Sequence, residues 1–270
     1  MHKDLFSLQD KVAIVTGAGG LIGQYHCQAL AESGAHVVVA DLTEAACVTL
    51  AAQLPGGPHL GLGVDVTQPD LLIAARERIL QKFGRLDVLV NNAAINDSFE
   101  NPSLAAELSR FENFPLDTWK RSLDVNVTGV FLCSQIFGKP MADQGSGSII
   151  NVASTYGMVG PDQSIYVNES GEQTFHKSAS YPATKGAVIS FTRFLAAYWG
   201  KNGVRVNTLS PGGVENNQDP YFVSNYRRKT LLGRMANPTD YQGALIFLAS
   251  DASAYMTGAN LVVDGGWTAV

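Results

Sequence analysis

Seven short apolar bursts alternate with longer amphipathic stretches along the chain. The bursts are Val12–Thr16, Val37–Asp41, Leu60–Val66, Leu86–Asn91, Ser148–Ala153, Arg205–Ser210 and Asn260–Asp264. Several are continuous β-branched runs rather than alternations, the pattern of strands buried on both faces of a parallel sheet. Between them the spacing predicts helices over Leu21–Ser33, Glu44–Leu54, Leu71–Phe83, Leu116–Lys139, Tyr181–Gly200 and Thr239–Ala249. The unbroken βαβ order predicts an α/β fold: a doubly wound parallel sheet of about seven strands with helices on both faces. No Pro/Gly/Ser linker or repeat divides residues 1–270, so a single domain is expected.

Three segments break the alternation: 95–115, 159–180 and 211–235. Each follows a strand and is therefore expected at the carboxyl edge of the sheet, where open α/β folds bind ligands. Long loops there serve as lids or binding walls more often than as filler.

Composition narrows the function. Of the 270 residues, 46% are hydrophobic and 16% charged, which excludes a disordered or fibrous chain. A net charge of −5 argues against a general grip on nucleic acid or an anionic membrane. No apolar run reaches a membrane span, and the first residues, Met1 to Phe6, carry no secretory pattern. Cys27, Cys47 and Cys133 lie far apart in helical segments, and the five histidines show no ligand spacing. The expectation is a cytoplasmic protein with buried thiols and no structural metal.

The first strand runs into Thr16-Gly17-Ala18-Gly19-Gly20-Leu21-Ile22-Gly23. Glycines between a strand and a helix let backbone approach a pyrophosphate and rest its charge on the helix N-terminus. Asp41 closes the second strand 18 residues after Gly23, where a carboxylate accepts hydrogen bonds from adenosine ribose hydroxyls. Its charge repels a 2′-phosphate and no Arg or Lys follows nearby, so NAD is favoured over NADP. Asp65, ending the third strand, is either an adenine contact or an ordinary turn residue.

Tyr181-Pro182-Ala183-Thr184-Lys185 places a Tyr and a Lys at i and i+4, on one face of a helix. A free phenol titrates near 10, so it needs a neighbouring cation to act as acid or base at neutral pH. Lys185 supplies one and can also bind ribose hydroxyls.

With these motifs nearly the whole chain resembles the short-chain dehydrogenase/reductase family, which implies a Rossmann-type fold. Asn91-Asn92-Ala93-Ala94 resembles its NNAG segment, and Ser210-Pro211-Gly212-Gly213-Val214 the segment that meets the nicotinamide carboxamide. The resemblance implies catalytic roles for Asn126, Ser154, Tyr181 and Lys185: a water-ordering asparagine, an oxygen-holding serine, the acid/base and its partner. It implies cofactor contacts at Gly17, Gly19, Gly20, Leu21, Ile22, Gly23, Asp41, Leu42, Asp65, Val66, Asn92, Ala93, Ala94, Tyr181, Lys185, Pro211, Gly212 and Val214. The activity implied is NAD-dependent interconversion of a secondary alcohol and a ketone.

Three features depart from the family pattern. Leu21 stands where simple reductases carry Gly, and the spacing Gly17, Gly20, Gly23 is that of a sugar-nucleotide branch. Asn216 stands where Thr is frequent. Ser154 and Tyr181 are 27 residues apart, about twice the usual interval, which predicts a deeper, more polar substrate wall from 159–180. The stretch Val159–Tyr166 and the tail Ser210–Trp267 resemble the flagellin-modification subgroup of bacterial surface-sugar (nonulosonic acid) pathways. That implies an amino sugar, sugar phosphate or nucleotide sugar. Arg227, Arg228 and Lys229 are then either a phosphate grip or a solvated helix face. A 3-oxoacyl thioester or small ketone is the alternative substrate, kept open by Phe99, Phe111, Phe114 and Phe222. An NAD-retaining epimerase or dehydratase and a non-catalytic cofactor sensor are the other readings. The C-terminal segment Tyr255–Trp267 resembles the family's assembly surface, which implies a homotetramer.

Overall fold

In the computed structural model, which describes residues 4–96 and 102–270, all seven bursts are strands. They are β1 (Val12–Thr16), β2 (His36–Asp41), β3 (Leu60–Gly63), β4 (Val88–Asn91), β5 (Gly147–Val152), β6 (Val204–Pro211) and β7 (Asn260–Val263). All pair in parallel in the order β3-β2-β1-β4-β5-β6-β7. The chain winds outward from β1 to β3, then returns to place β4 on the other side of β1. Crossovers diverge at that point, and a crevice opens beyond the carboxyl ends of β1 and β4.

The helices are α1 (Gly23–Glu32), α2 (Glu44–Gln53), α3 (Pro69–Phe83), α4 (Pro102–Leu108), α5 (Leu116–Leu123), α6 (Gly129–Gln144), α7 (Ser180–Trp199), α8 (Pro220–Arg227) and α9 (Gln242–Ala249). Strand side chains alternate between two cores. Val12 and Ile14 pack with Ile79 of α3, Phe137 of α6 and Trp199 of α7. Ala13 and Val15 pack with Cys27 and Leu30 of α1 and Leu245 and Leu248 of α9. Because both faces are covered, the strands carry β-branched residues without interruption. The three cysteines are buried in α1, α2 and α6 without disulfides. Among the described residues no helix is long and apolar enough to cross a membrane, and no three metal-ligating side chains cluster.

The boundaries differ from the sequence reading where local chemistry intervenes. The predicted helix Leu116–Lys139 is α5, a π-helical turn over Asp124–Thr128, and α6. It runs through Pro140, which forfeits one backbone bond, because Phe137 and Met141 anchor both sides of it in the core. It ends at Gly145, whose φ is 71°. Strand β3 stops at Gly63, before Asp65 turns the chain through hydrogen bonds to Thr67. Two helices lie inside segments read as loops, α4 and α8. For α8 the signal was Asp219-Pro220: Asp219 Oδ1 accepts from Tyr221 N at 2.9 Å and Phe222 N at 3.2 Å.

His26 on α1 is fully buried, and neither ring nitrogen meets a partner among the described residues. Burial lowers its pKa from 6.5 to about 4. A base depressed on folding stabilises the fold fully above its unfolded value, and that contribution is lost as pH falls through the folded one. Between pH 6.5 and 4, His26 should therefore cost roughly 1.4 kcal/mol per pH unit, about 3 kcal/mol in all. Urea melts of the wild type and His26→Leu across this window test it: the variant should show the flatter acid limb. Parallel limbs would refute the assignment.

Candidate active site

A cleft of about 1250 Å³ lies over the crevice between β1 and β4. One half is the glycine turn. Gly17 sits at φ 63°, and a Cβ there would lie 2.6 Å from the Ala93 backbone. A Cβ on Gly23 would fall 2.2 Å from the Gly17 carbonyl. Both positions therefore require glycine. Leu21 and Ile22 form the turn into α1, so the helix starts two residues later than the sequence pattern indicates, at Gly23. Ile22 supplies no side-chain cap, and Gln24 N is met within the turn by the Gly20 carbonyl at 3.2 Å. Asn92 pins the turn, donating to the carbonyls of Thr16 (3.0 Å) and Gly17 (2.9 Å).

Asp41 closes this half. Its Oδ2 accepts from Gly19 N at 2.8 Å and its Oδ1 from Leu42 N at 2.7 Å, which fixes the carboxylate at the cleft rim. Of the cofactor residues expected from sequence, Gly17, Gly20, Leu21, Ile22, Gly23, Asp41, Leu42, Asp65, Val66, Asn92, Ala93, Ala94, Tyr181, Pro211, Gly212 and Val214 line the cleft. Gly19 instead holds Asp41, and Lys185 lies behind the wall. The glycine cradle, the uncapped helix start and the rim carboxylate fit a dinucleotide.

The other half centres on Tyr181, at the start of α7. Its phenol is hydrogen-bonded with Ser154, which follows β5. Burial raises the phenol above its ordinary value, and the Ser154 bond opposes that. Lys185 is buried one turn further on. Its Nζ donates to the Val152 carbonyl at 2.8 Å and lies 5.7 Å from the Tyr181 ring centroid. Burial, and secondarily the charge of Lys177, lowers Lys185 from 10.5 to about 8. Such an amine can exchange a proton near neutrality.

Asn126 sits fully buried in the π-helical turn, a feature that recurs at functional sites. Its side-chain amide is already committed: Oδ1 accepts from Ile95 N at 2.8 Å, and Nδ2 donates to Ile95 O at 2.9 Å. The side chain therefore ties the turn to the end of β4, and Nδ2 also reaches Thr184 Oγ1 of α7 at 3.3 Å.

The segment 159–180 does form a wall, but an aromatic one. Tyr166 and Phe175 face the cleft and meet Phe222 of α8, with Tyr166 ring centroids 5.5 and 5.3 Å from Phe175 and Phe222. Tyr226 and Tyr156 complete this surface over Trp267. Burial raises all three of these tyrosine phenols, Tyr166 to about 12, so they remain neutral. The polar residues instead hold the loop: Asn168 and Glu172 bond each other, and Gln173 donates to the carbonyls of Gln163 and Phe175. An irregular segment must satisfy its own backbone, and these side chains do so.

The basic triplet is likewise structural. Arg227 pairs with Glu215 at 3.0 Å, and Lys229 with Asp162 at 2.7 Å, which fastens α8 to the wall. Arg228 is exposed, and none of the three lines the cleft. Of the phenylalanines proposed for a greasy lid, Phe222 lines the cleft, Phe111 is exposed and Phe99 lies outside the described residues. Sequence reasoning missed Tyr156, Tyr166, Phe175, Lys177 and Tyr226, which sit in segments or a short helix without usable periodicity.

Comparison with known proteins agrees with this geometry. Residues 17–268 match the family model described as enoyl-(acyl carrier protein) reductase. The D-threitol dehydrogenase of Mycolicibacterium smegmatis is 37% identical over 97% of this chain and 95% of its own length. The galactitol 2-dehydrogenase (L-tagatose-forming) of Cereibacter sphaeroides is 34% identical over 99% of this chain and 98% of its own. A gluconate 5-dehydrogenase from Burkholderia cenocepacia, solved with NADP and tartrate, superposes with a TM-score of 0.86 at 32% identity, covering 99% of this chain and 98% of that one. With a nicotinamide-type cleft and full-length relatives that are dehydrogenases of carbinols, the chain belongs to the short-chain dehydrogenase/reductase family and is an oxidoreductase of CH–OH groups.

Proposed function

We propose that this protein is an NAD-dependent dehydrogenase of a small polyol or sugar-like secondary alcohol. The observation that carries the reading is the Tyr181–Ser154 hydrogen bond with Lys185 buried beside the ring, facing the glycine turn across one cleft. A nicotinamide held by the glycine turn would supply the hydride acceptor for the carbinol carbon. Tyr181 takes the hydroxyl proton, and Ser154 holds the oxygen. Lys185 sustains the charge on the phenol, and Asn126 positions the turn beneath them.

NAD is favoured by Asp41 at the rim. Polyols are favoured by the D-threitol and galactitol dehydrogenases among the relatives, and by aromatic faces on which sugar-like carbons pack. The pairing of Arg227 and Lys229 with acids removes the basic triplet as support for a phosphate or nucleotide grip. The test is nicotinamide absorbance with a panel of polyols, sugar phosphates, nucleotide sugars and acyl thioesters, with Tyr181→Phe as control. Turnover of polyols alone is expected; turnover confined to acyl thioesters would overturn the substrate class.

The same reading includes a homotetramer. An exposed aromatic row, Phe131, Phe194 and Tyr198, runs along α6 and α7, and Tyr255 stands fully exposed in the C-terminal segment. Exposed apolar rows of this kind mark interaction surfaces, and the partner in this reading is a second copy of the chain. A monomer mass by light scattering would refute assembly.

A further inference from the structure

The wall brings a second lysine to Tyr181. Lys177 is 9% exposed, and its Nζ lies 4.3 Å from the Tyr181 ring centroid, nearer than that of Lys185. One side chain clamps its backbone on both sides: Gln163 Nε2 donates to Lys177 O at 2.9 Å, and Gln163 Oε1 accepts from Lys177 N at 2.8 Å. Gln163 is itself held, because its carbonyl accepts from Gln173 Nε2 at 2.9 Å. The ammonium donates to Asn96 Oδ1, beyond the end of β4, and both residues line the cleft. Lysine is ordinarily a mobile point charge. Here much of the segment's internal hydrogen bonding fixes it beside the phenol.

An ammonium carries three donors in a tetrahedral array, and Asn96 is one of its partners. A substrate oxygen on Tyr181 and another on Lys177 would be held from the same ring, within reach of neighbouring carbons. We propose that Lys177 is a specificity-determining residue, which donates to an oxygen on the carbon next to the reacting carbinol. The enzyme thereby selects vicinally oxygenated substrates, with a hydroxyl or a carboxylate as acceptor. This rests on the alcohol–ketone reading above and deepens it.

The experiment compares kcat/KM for 2,3-butanediol and for lactate with that for 2-butanol, which lacks the second oxygen. Wild type should prefer one of the first two, and which one identifies the acceptor. In Lys177→Met that preference should fall about 10- to 200-fold, the range for removing a hydrogen bond from a charged donor, and chiefly through KM. Lys177→Arg should keep part of it, and Gln163→Leu, which frees the lysine backbone, should fall between. Should Lys177→Met fail to fold, as read by NADH binding and thermal melting, Lys177→Gln carries the same ratio. A preference unchanged within threefold, with all three substrates slowed alike, would overturn the inference and leave Lys177 acting only through Tyr181. Absence of nicotinamide reduction by wild type with every alcohol tried would instead fail the parent reading, and the inference with it.

Discussion

Tyr181→Phe is expected to lower turnover by about a thousandfold or more while the protein still folds and binds NADH. The substitution removes one oxygen and keeps the ring that packs beside Lys177 and Lys185. What disappears is the atom hydrogen-bonded with Ser154. A positioned acid/base contributes roughly 10² to 10⁴ in rate, so a loss at the upper end assigns the proton transfer to this phenol. Ser154→Ala, which deletes a hydrogen bond rather than the proton acceptor, should cost less. Unchanged NADH affinity by fluorescence titration separates chemistry from binding; residual turnover above a tenth of wild type would sink the assignment.

The same site predicts a direction for pH. Burial raises the phenol, so it is protonated at neutrality and is ready to give a proton to a ketone. Alcohol oxidation requires the phenolate and should accelerate as pH rises. The Ser154 hydrogen bond works against burial but does not cancel it. Oxidation rates that fall between pH 7 and 9 would contradict this ordering.

Much of this was legible in the sequence, for identifiable reasons. Strands buried on both faces need apolar side chains at successive positions, so the runs that form β1, β2, β4, β5 and β6 were visible without any partner. Residues tied to a strand end or a helix start, such as Asp41, Ser154, Tyr181 and Lys185, inherited their places from those elements. The substrate wall was not legible. Its position was, since 27 residues separate Ser154 from Tyr181, but its inner surface depends on which side chains the loop spends on itself. Gln163, Asn168, Glu172 and Gln173 read as ligand-binding polarity and proved to be internal fastenings. That left Tyr166, Phe175 and Lys177 facing inward. For the triplet 227–229 the sequence left a phosphate grip and a solvated face both open, because the acids that pair with Arg227 and Lys229 lie 12 and 67 residues away in sequence. The committed amide of Asn126 was equally hidden, because its partner Ile95 belongs to another element.

A neighbour with this fold was solved with NADP, so the fold does not decide cofactor choice. The proposal that NAD is preferred rests on Asp41. Its carboxylate is fixed by the amides of Gly19 and Leu42, which hold its charge where the adenosine ribose of a dinucleotide would lie. Two ribose hydroxyls can donate to it; a 2′-phosphate cannot, and would bring like charge against it. Wild type should therefore prefer NAD over NADP by about 100-fold in kcat/KM, the scale of a lost hydrogen bond to a charged group. In Asp41→Asn with Leu42→Arg, the amide oxygen can still accept from one backbone N–H, and the guanidinium at exposed position 42 supplies a phosphate partner. The preference should then reverse, with kcat nearly unchanged because position 41 is remote from Tyr181. Equal use of both cofactors by wild type would remove Asp41 from the specificity assignment. Reversal accompanied by a collapse in kcat would show instead that the Asp41–Gly19 bond shapes the glycine turn itself.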